Sequence, residues 1–470
     1  MKRPLLLAAL LAGGSAALAQ PRDAEIERML GEVSAARIEQ RIRALVGFET
    51  RHTLSETESE TRGIGAARRW IQRELQACSR AAGGRLQVAM DEFVEPAGRR
   101  MPRAATLVNV VATLPGVSAA SKDRLLVVSG HYDSRNGEVM DAEGAAPGAN
   151  DDASGVAAVM ELACVMANRP FDATLVFMAV PGEEQGLLGA AQWARNARRQ
   201  GLNIEAMITN DIVGSPRGDA GQRDAKQLRL FADGYDPLLR LLVQARANQP
   251  ATADAAEQRQ IDAAREQLQR LALAGGGEDL PTAQLGRHLK ATGERYLPGF
   301  TVNLIQRRDR YLRGGDHLPF LERGYAAVRF TEPFENFAHQ HQNLRTENGV
   351  VYGDLPEFVD FSYVADVARI NLAGLASLAR APAPPAGVEL ETTELTNDST
   401  LRWAASADPA VAGYRVVWRH PESAVWQQAR DVGLVQRVRL PVSKDNVVFG
   451  VQALSKGGHA SLAAYPLPAR

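Results

Sequence analysis

The chain has 470 residues, more than one hydrophobic core usually holds, so two or more domains are expected. Hydrophobic residues make up 45% and charged residues 23% of the chain, which is typical of a globular protein. The formal net charge of −1 provides no general attraction to nucleic acids or to anionic membranes, so we expect neither as a partner.

Residues 1–19 have the parts of a signal peptide. Lys2 and Arg3 form a positive start, an apolar stretch follows, and residues 17–19 form an A-x-A cleavage site. A membrane anchor is the alternative, but small residues at 13–15 interrupt the apolar stretch and favour cleavage. No later segment reaches the ~18 apolar residues that a spanning helix needs. We therefore expect an exported protein, periplasmic or secreted, without stable membrane insertion.

The two cysteines, Cys78 and Cys164, are too few for a scaffold built on disulfides. Cys164 falls within the apolar pattern of a helix, so we interpret it as a buried thiol. The sequence leaves open whether the two cysteines pair. It contains no C-x-x-C motif, so thiolate ligation of a metal is not expected.

The first part of the chain has the apolar spacing of two helices within residues 24–80. The segment between them, residues 52–65, is polar and is expected to form a loop. His52 opens this loop, and a lone histidine in a polar loop is most often solvated, with metal ligation as the alternative. Two strands are expected next, at about 85–94 and 105–114.

Three short apolar runs follow, and each ends abruptly at carboxylates or a histidine. They are residues 125–134, 174–184 and 206–214, and helical patterns at about 154–168 and 186–200 separate them. Short apolar runs that alternate with helices predict buried parallel strands. We therefore expect an α/β fold with a doubly wound, mixed but mostly parallel sheet flanked by helices.

Acidic and histidine side chains gather at one expected edge of this sheet. They are His131, Glu183, Glu184, Asp211 and, in the loop 148–155, Asp151 and Asp152. Doubly wound sheets bind ligands beyond the carboxyl ends of their strands. Because nitrogen and oxygen ligands of this kind suit zinc, we predict a metal site at this edge, with zinc as the leading candidate.

The composition changes after the next strand. Residues 238–273 are rich in Ala, Gln, Arg and Leu at helical spacing, and residues 287–295 begin another polar helix. We predict a helical insertion at about 238–296. It forms either a solvated surface hairpin or a lid over the site, because long insertions at this edge of a sheet commonly shape substrate access.

The last part of the chain has a different residue pattern from the part before it. A final helix closes a domain that spans residues 24–380, and the Pro-rich residues 381–386 form an extended linker. Residues 387–470 contain short strands at the spacing of a β-sandwich. This stretch resembles a fibronectin type III module, with Trp403 and Tyr414 as its core aromatics.

Four motifs in the central region together resemble the family of co-catalytic dizinc aminopeptidases, the bacterial leucyl-aminopeptidase-like metallopeptidases related to glutamate carboxypeptidase and glutaminyl cyclase. The motifs are Gly130–Ser134, Gly148–Gly155, Pro181–Glu184 and Asn210–Gly214. The resemblance covers residues 35–380. It implies an exported exopeptidase that removes N-terminal residues from peptide substrates with two zinc ions per chain, through a metal-bridging water and a glutamate general base.

The resemblance also implies the metal ligands, position by position. Asp151 would bridge both zinc ions. His131 and Asp211 would complete one zinc site. Glu184 and a late histidine would complete the other.

Two further roles follow from the same resemblance. Glu183 matches the general base. Asp133 matches a carboxylate that orients the imidazole of His131, as ligating histidines usually require. The peptide bond between Asp151 and Asp152 would be cis.

The late histidine is where this chain departs from the family, whose usual motif is Tyr-His-Thr followed by an Asp. Here residues 336–343 read Asn-Phe-Ala-His-Gln-His-Gln-Asn. Spacing to Asn343, in place of the family's Asp, selects His339. The polar residues on either side of His341 favour that histidine, which we predict as the ligand with His339 as the alternative. His317 matches a segment that lies beside the family's active site.

Other activities on the same fold are the alternatives. A carboxypeptidase would need cationic groups, and arginines occur at 307, 308, 310 and 313, although arginines there are more often surface charges. A glutaminyl cyclase has one zinc and would not need both His131 and Asp211. A catalytically decayed peptide-binding protein is disfavoured because the whole set of expected site residues is present.

Overall fold

The computed structural model describes residues 22–233 and 277–469, together with residues 259, 262, 263 and 266. The signal peptide expected at residues 1–19 and most of the helical insertion expected at about 238–296 lie outside the described residues.

An eight-stranded mixed sheet is the centre of the larger part of the molecule. Its strands are β1 Gln87–Glu95, β2 Ala105–Leu114, β3 Arg124–His131, β4 Thr174–Val180, β5 Asn203–Asn210, β6 Gln227–Phe231, β7 Thr301–Ile305 and β8 Ala327–Thr331. The spatial order is β1-β2-β4-β3-β5-β8-β6-β7. The four central strands β4, β3, β5 and β8 are parallel, so their carboxyl ends meet at one edge.

Helices cover both faces of this sheet. They are α1 Ala24–Glu32, α2 Ala35–Val46, α3 Gly63–Ala81, α4 Ala153–Met166, α5 Leu188–Arg199, α6 Pro281–Tyr296, α7 Leu318–Leu321 and α8 Phe361–Ala379. Along β3, Leu126 and Val128 pack into the core with α4 and α8, whereas Val127 packs on the opposite face with α5 and α7. Strands buried on both faces read as continuous apolar runs, so the predicted α/β fold is confirmed.

Three expectations for the N-terminal region and the cysteines are wrong. Residues 24–80 form three helices, and Cys78 on α3 is bonded to Cys164 on α4, so Cys164 is not a free thiol. His52 is fully buried, not solvated, and its Nε2 lies 3.0 Å from the carbonyl oxygen of Val139. His52 is buried because Val139 and Gln185 contact its ring nitrogen, whereas residues 56–62 of the loop remain at least partly exposed.

The end of the predicted insertion also differs from expectation. Residues 287–295 belong to α6, which is not a solvated surface helix. Leu285 and Leu289 of α6 are fully buried and belong to the main core, and the helix packs against α8 and β7. Within the described residues, no helix is both long enough and apolar enough to cross a membrane.

The C-terminal region consists of two small sheets. Their strands are β11 Glu389–Glu391, β12 Ser399–Arg402, β13 Val411–Arg419, β14 Gln428–Gly433, β15 Arg437–Leu440, β16 Val448–Ser455 and β17 Leu467–Ala469, and a separate hairpin, β9 Arg345–Glu347 and β10 Val350–Tyr352, precedes α8. One sheet has the order β15-β12-β11-β17 and the other β14-β13-β16. The rings of Trp403 and Tyr414 lie 5.4 Å apart in the core between them. The predicted all-β region is confirmed, and its likeness to fibronectin type III stays a prediction.

This region contacts the larger one through polar side chains and through the hydrophobic core. Arg419 on β13 pairs with Asp279 at 2.7 Å, and both side chains are 2% exposed. His459 lies 2.9 Å from Asp23, the N-cap of α1. Leu462 is part of the main core of the α/β region. The two regions therefore share a buried interface.

Candidate metal centre

The site begins at the carboxyl ends of three adjacent parallel strands. His131 is the last residue of β3, Glu183 and Glu184 follow β4, and Asp211 follows β5. Asp151 comes from the loop between β3 and α4. Because the strand ends share one edge, these side chains are brought together as predicted.

The first cluster consists of His131, Asp151 and Asp211. Nε2 of His131 lies 3.1 Å from Oδ1 of Asp151 and 4.0 Å from Oδ1 of Asp211. All three residues are buried. One ligand atom from each lies within 4.8 Å of the others, a spacing suited to a single metal ion.

The second cluster consists of Asp151, Glu184 and His341. Nε2 of His341 lies 2.8 Å from Oδ2 of Asp151 and 2.8 Å from Oε1 of Glu184. Asp151 thus offers one oxygen to each cluster, which is the arrangement a bridging carboxylate requires.

The donor atoms themselves favour a metal. Nε2 of His131, Nε2 of His341 and Oε1 of Glu184 are buried and lie close to other atoms of the clusters, but among the described residues none of the three makes a hydrogen bond of acceptable geometry. Buried polar atoms without partners are costly, and all three are atoms that bind zinc well. The residues therefore fit a pair of zinc ions.

The other two histidine candidates join neither cluster. The ring of His339 stacks on Phe358 with ring centres 3.5 Å apart. His317 is fully buried, and its Nε2 lies 2.8 Å from the carbonyl oxygen of Arg308. Of the two late histidines, the structure brings His341 to the cluster.

Asp133 positions several residues of this centre through hydrogen bonds. Nδ1 of His131 lies 3.1 Å from the Asp133 carbonyl oxygen and 3.4 Å from its carboxylate. The Asp133 carboxylate also accepts the backbone N–H groups of Glu183 (3.3 Å) and Glu184 (3.2 Å) and the hydroxyl of Thr53 (3.0 Å). It therefore fixes the His131 ring and the Glu183–Glu184 backbone together. Thr53 was missed because its loop carries no motif.

The bridging loop is held by Asp152 and by Asp354. Asp152, the N-cap of α4, accepts the N–H groups of His131 (3.0 Å) and Gly155 (3.0 Å), and its peptide bond to Asp151 is cis. Asp354 accepts the N–H groups of Asn150 (2.8 Å) and Asp151 (2.7 Å). The backbone on both sides of the shared carboxylate is thereby fixed. Asp354 lies 203 residues downstream of Asp151, on a loop without a motif, so sequence reasoning missed it.

Arginines pair with the carboxylates of two predicted ligands, and sequence reasoning missed both arginines. Arg329, fully buried on β8, pairs with Oδ1 of Asp211 at 2.9 Å. Nε of Arg135 donates to Oε2 of Glu184 at 2.8 Å, and its Nη2 lies 2.6 Å from Nδ1 of His341. Asp211 and Glu184 are thus oriented by fixed positive charges.

The electrostatics of the cluster attract positive charge. Burial disfavours the charged form of Asp151, but His341 and His131 outweigh it and hold the pKa of Asp151 well below its usual range. Burial lowers the pKa of His341, but Glu184 and Asp151 outweigh it and raise that pKa to about 10. Protons or divalent metal ions can supply the charge that these carboxylates favour.

Glu183 stands apart from both clusters. Burial, together with the negative charges of Asp211 and Glu184, raises the pKa of Glu183 well above its ordinary value. A raised pKa is the direction that a general base acting near neutral pH requires.

A cavity of about 320 Å³ opens over the clusters. Its lining includes Asp151, Glu183, Glu184, Asp211 and His341, and the arginines Arg100, Arg135, Arg310 and Arg313. The interpretation of Arg310 as a surface charge is wrong, because its side chain is only 10% exposed. The loop between β7 and α7 folds inward over the strand ends.

Comparisons with known proteins agree with this geometry. A model of peptidase family M28 matches residues 109–265. A probable zinc metalloprotease of Leptosphaeria maculans is 46% identical over 444 residues, which cover 94% of this chain and 97% of that protein. Another, of Pyrenophora tritici-repentis, is 45% identical and covers 96% of this chain and 88% of that protein.

A solved structure shares the fold. The LapA aminopeptidase of Legionella pneumophila superposes with a TM-score of 0.51 over 77% of this chain and 78% of that chain. Its sequence identity of 18% limits that likeness to the fold. The relatives from the two fungi match nearly the whole chain at 45–46% sequence identity, which is sufficient to establish its family. The chain belongs to peptidase family M28.

Proposed function

We propose that this protein is a dizinc exopeptidase that removes N-terminal residues from peptides. The observation that carries the proposal is the pair of ligand clusters that share Asp151, with Glu183 beside them. Close relatives described as probable zinc metalloproteases support zinc as the metal. His131, Asp151 and Asp211 would hold one ion, and Asp151, Glu184 and His341 the other.

When bound, two zinc ions would acidify a water molecule and polarise the scissile carbonyl. The Glu183 carboxylate accepts the proton of the attacking water and delivers it to the nitrogen of the leaving amine. Asp133 holds the backbone N–H of Glu183, so the base is fixed in position during both transfers. Arg135 and Arg329 keep Glu184 and Asp211 aligned.

The size of the cavity supports action at a chain end. A volume of about 320 Å³ is near the lower limit for ligand sites and accommodates a terminal residue more readily than the middle of an extended chain. The preference for the amino terminus rests on the four motifs that resemble dizinc aminopeptidases. The arginines in the cavity lining favour a second candidate, a carboxypeptidase that binds a free α-carboxylate.

We also propose that the protein is exported to the periplasm or secreted. The expected signal peptide and the Cys78–Cys164 disulfide support this, because disulfides persist mainly in oxidising compartments.

A panel of blocked peptides tests the proposed activity. We expect zinc-dependent release of the first residue from a peptide amide with a free amino terminus, and no release when that amino group is acetylated. Hydrolysis of only the acetylated peptides with a free carboxyl terminus would establish the carboxypeptidase. Cleavage in the middle of doubly blocked peptides would contradict an exopeptidase of either kind.

A further inference from the structure

The cavity over the metal centre has an unusual distribution of charge. Among the described residues that line it, the acidic ones are Asp151, Glu183, Glu184 and Asp211, and the basic ones are Arg100, Arg135, Arg310 and Arg313. The four acidic residues are those assigned to the metals and to the base. Two zinc ions would neutralise them, so any arginine in the lining that other carboxylates do not compensate would make the cavity positive.

Two of these arginines are fully engaged within the protein. Arg135 contacts two of the proposed ligands, as described above. Arg310 donates to Asp309 (3.2 Å) and to Glu335 (3.1 Å), and its side chain is only 10% exposed. These guanidinium groups shape the cavity and have little capacity left for a ligand.

Arg313 keeps a larger exposed surface. It pairs with Glu335 and donates through Nη2 to the side-chain oxygen of Gln340 at 3.2 Å. Its side chain is still 34% exposed. Glu335 is shared with Arg229 and Arg310, so this one carboxylate serves three arginines and leaves Arg313 with a partly uncompensated charge.

Arg100 is the least compensated of the four. Its Nη1 donates to the backbone carbonyl oxygen of Glu184 at 2.8 Å. Among the described residues, no carboxylate lies within ion-pair distance of its guanidinium. The contact to Glu184 places the remaining N–H groups of Arg100 at the mouth of the metal cavity.

The turn that carries Arg100 is well anchored. Arg99 and Arg100 lie at the tip of the β1–β2 connection, between Gly98 and Met101. The N–H of Gly98 donates to the Met101 carbonyl at 2.7 Å, and the reverse bond is 3.2 Å. The Met101 side chain is only 3% exposed. The backbone at Arg100 is therefore anchored before any substrate binds, and the hydrogen bond to Glu184 directs its side chain, which lowers the entropic cost of binding.

We propose that the substrate carries a carboxylate beside the scissile bond, and that Arg100 and Arg313 bind it. This inference rests on the proposed exopeptidase activity, in either its aminopeptidase or its carboxypeptidase form, and assigns the substrate class. The carboxylate is either the side chain of an N-terminal Asp or Glu or the α-carboxylate of a C-terminal residue. Guanidinium groups bind carboxylates through charge-assisted, often bidentate, hydrogen bonds, and the arginines supply these donors on the cavity side.

Two pairs of substrates distinguish the sources of the carboxylate. The first pair is aspartyl-alanine amide and asparaginyl-alanine amide, which differ only in the charge of the N-terminal side chain. The second pair is acetyl-leucyl-alanine and its amide, which differ only at the carboxyl terminus. We expect kcat/KM to favour the charged member of one pair by ~10-fold or more. The favoured pair identifies the source.

Arg100→Gln tests the residue directly. It should abolish most of that preference by raising KM for the charged substrate, with a change below about twofold for the neutral one. Arg100→Lys should restore part of the preference. Arg99→Gln is the matched control, since it removes the same charge from the same turn outside the cavity lining, and it should keep the preference. Calorimetric binding of free aspartate should weaken by ~10-fold in Arg100→Gln only.

Three outcomes would overturn the inference: equal rates for both members of both pairs, equal effects of the substitutions at 99 and 100, or equal affinity of wild type and Arg100→Gln for aspartate. Failure to hydrolyse any peptide in the presence of zinc is a different result. It would refute the proposed function, and the aspartate titration would still decide whether Arg100 binds a carboxylate.

Discussion

The substitution Asp354→Asn tests how the loop that carries the bridging carboxylate is held. Asp354 accepts the N–H groups of Asn150 at 2.8 Å and of Asp151 at 2.7 Å, and its side chain is buried. An asparagine side chain can accept one of these two hydrogen bonds with its oxygen. Its NH2 group then faces the second backbone N–H group and cannot accept a hydrogen bond from it. Loss of one charge-assisted hydrogen bond costs about 2 kcal/mol, which corresponds to ~30-fold weaker zinc binding. Both zinc ions should be affected, because Asp151 belongs to both clusters.

The assay is a competitive zinc titration against a chelator at pH 8, where Asp354 is ionised even though burial raises its pKa to about 7. Asp23→Asn is a control away from the metal centre: Oδ1 of Asp23 accepts two backbone N–H groups at the start of α1, and the substitution removes the charge that Oδ2 presents to His459. The control should lower stability without changing zinc affinity. Zinc affinity within twofold of wild type in Asp354→Asn would refute the reasoning.

Three further predictions follow from the structure. Glu183→Gln should keep both zinc ions and lose at least ~100-fold in kcat, measured by metal analysis and initial rates; near-wild-type turnover would exclude Glu183 as the base. A chain that ends at residue 386 should fail to show a cooperative melting transition, because Asp279 loses Arg419 and the core loses Leu462; an active, cooperatively folded fragment would contradict the shared interface. Burial lowers the pKa of His288 from 6.5 to about 4, so the unfolded chain takes up a proton that the folded one does not, and stability should fall by ~2 kcal/mol from pH 7 to pH 5. Denaturant unfolding of His288→Gln should lose that part of the pH dependence, and an unchanged pH dependence would show that His288 is not responsible.

The sheet and the metal cluster could be predicted because both depend on local signals. Apolar runs indicated β3, β4 and β5, and the residues directly after them had to meet at one edge. His131, Glu184 and Asp211 come together for this reason. The positions of the acidic residues and histidines relative to the strand ends were sufficient to predict a metal site, without any knowledge of interatomic distances.

The supporting residues could not be predicted in the same way. Asp354 and Arg135 lie on loops, where no periodic pattern indicates burial or direction. Arg329 lies within a strand, but its charge is paired with Asp211, directly after the neighbouring strand β5, and with Asp309, on the β7–α7 loop. Arg51 is fully buried and donates to the carbonyl oxygens of Tyr132 and Gly148. From the sequence alone, an arginine at this position would be expected to be solvated. Each of these roles depends on tertiary neighbours.

The interface between the two regions was missed for a related reason. The Pro-rich segment predicts an extended linker and leaves open what covers it; in the structure Ala381 and Pro382 are buried, and the Ala381 carbonyl accepts a hydrogen bond from Arg124 at 2.6 Å. Proline content reports stiffness and gives no information about what packs against the segment.

The central claim is that two zinc ions share Asp151, and counting zinc in a set of single variants tests it most directly. After dialysis against a zinc buffer, wild type and His339→Ala should each hold two zinc ions per chain. His131→Ala and His341→Ala should each hold about one, and Asp151→Ala should hold none, provided that each variant keeps its melting transition. Two zinc ions retained in Asp151→Ala, or zinc lost in His339→Ala but not in His341→Ala, would contradict the account.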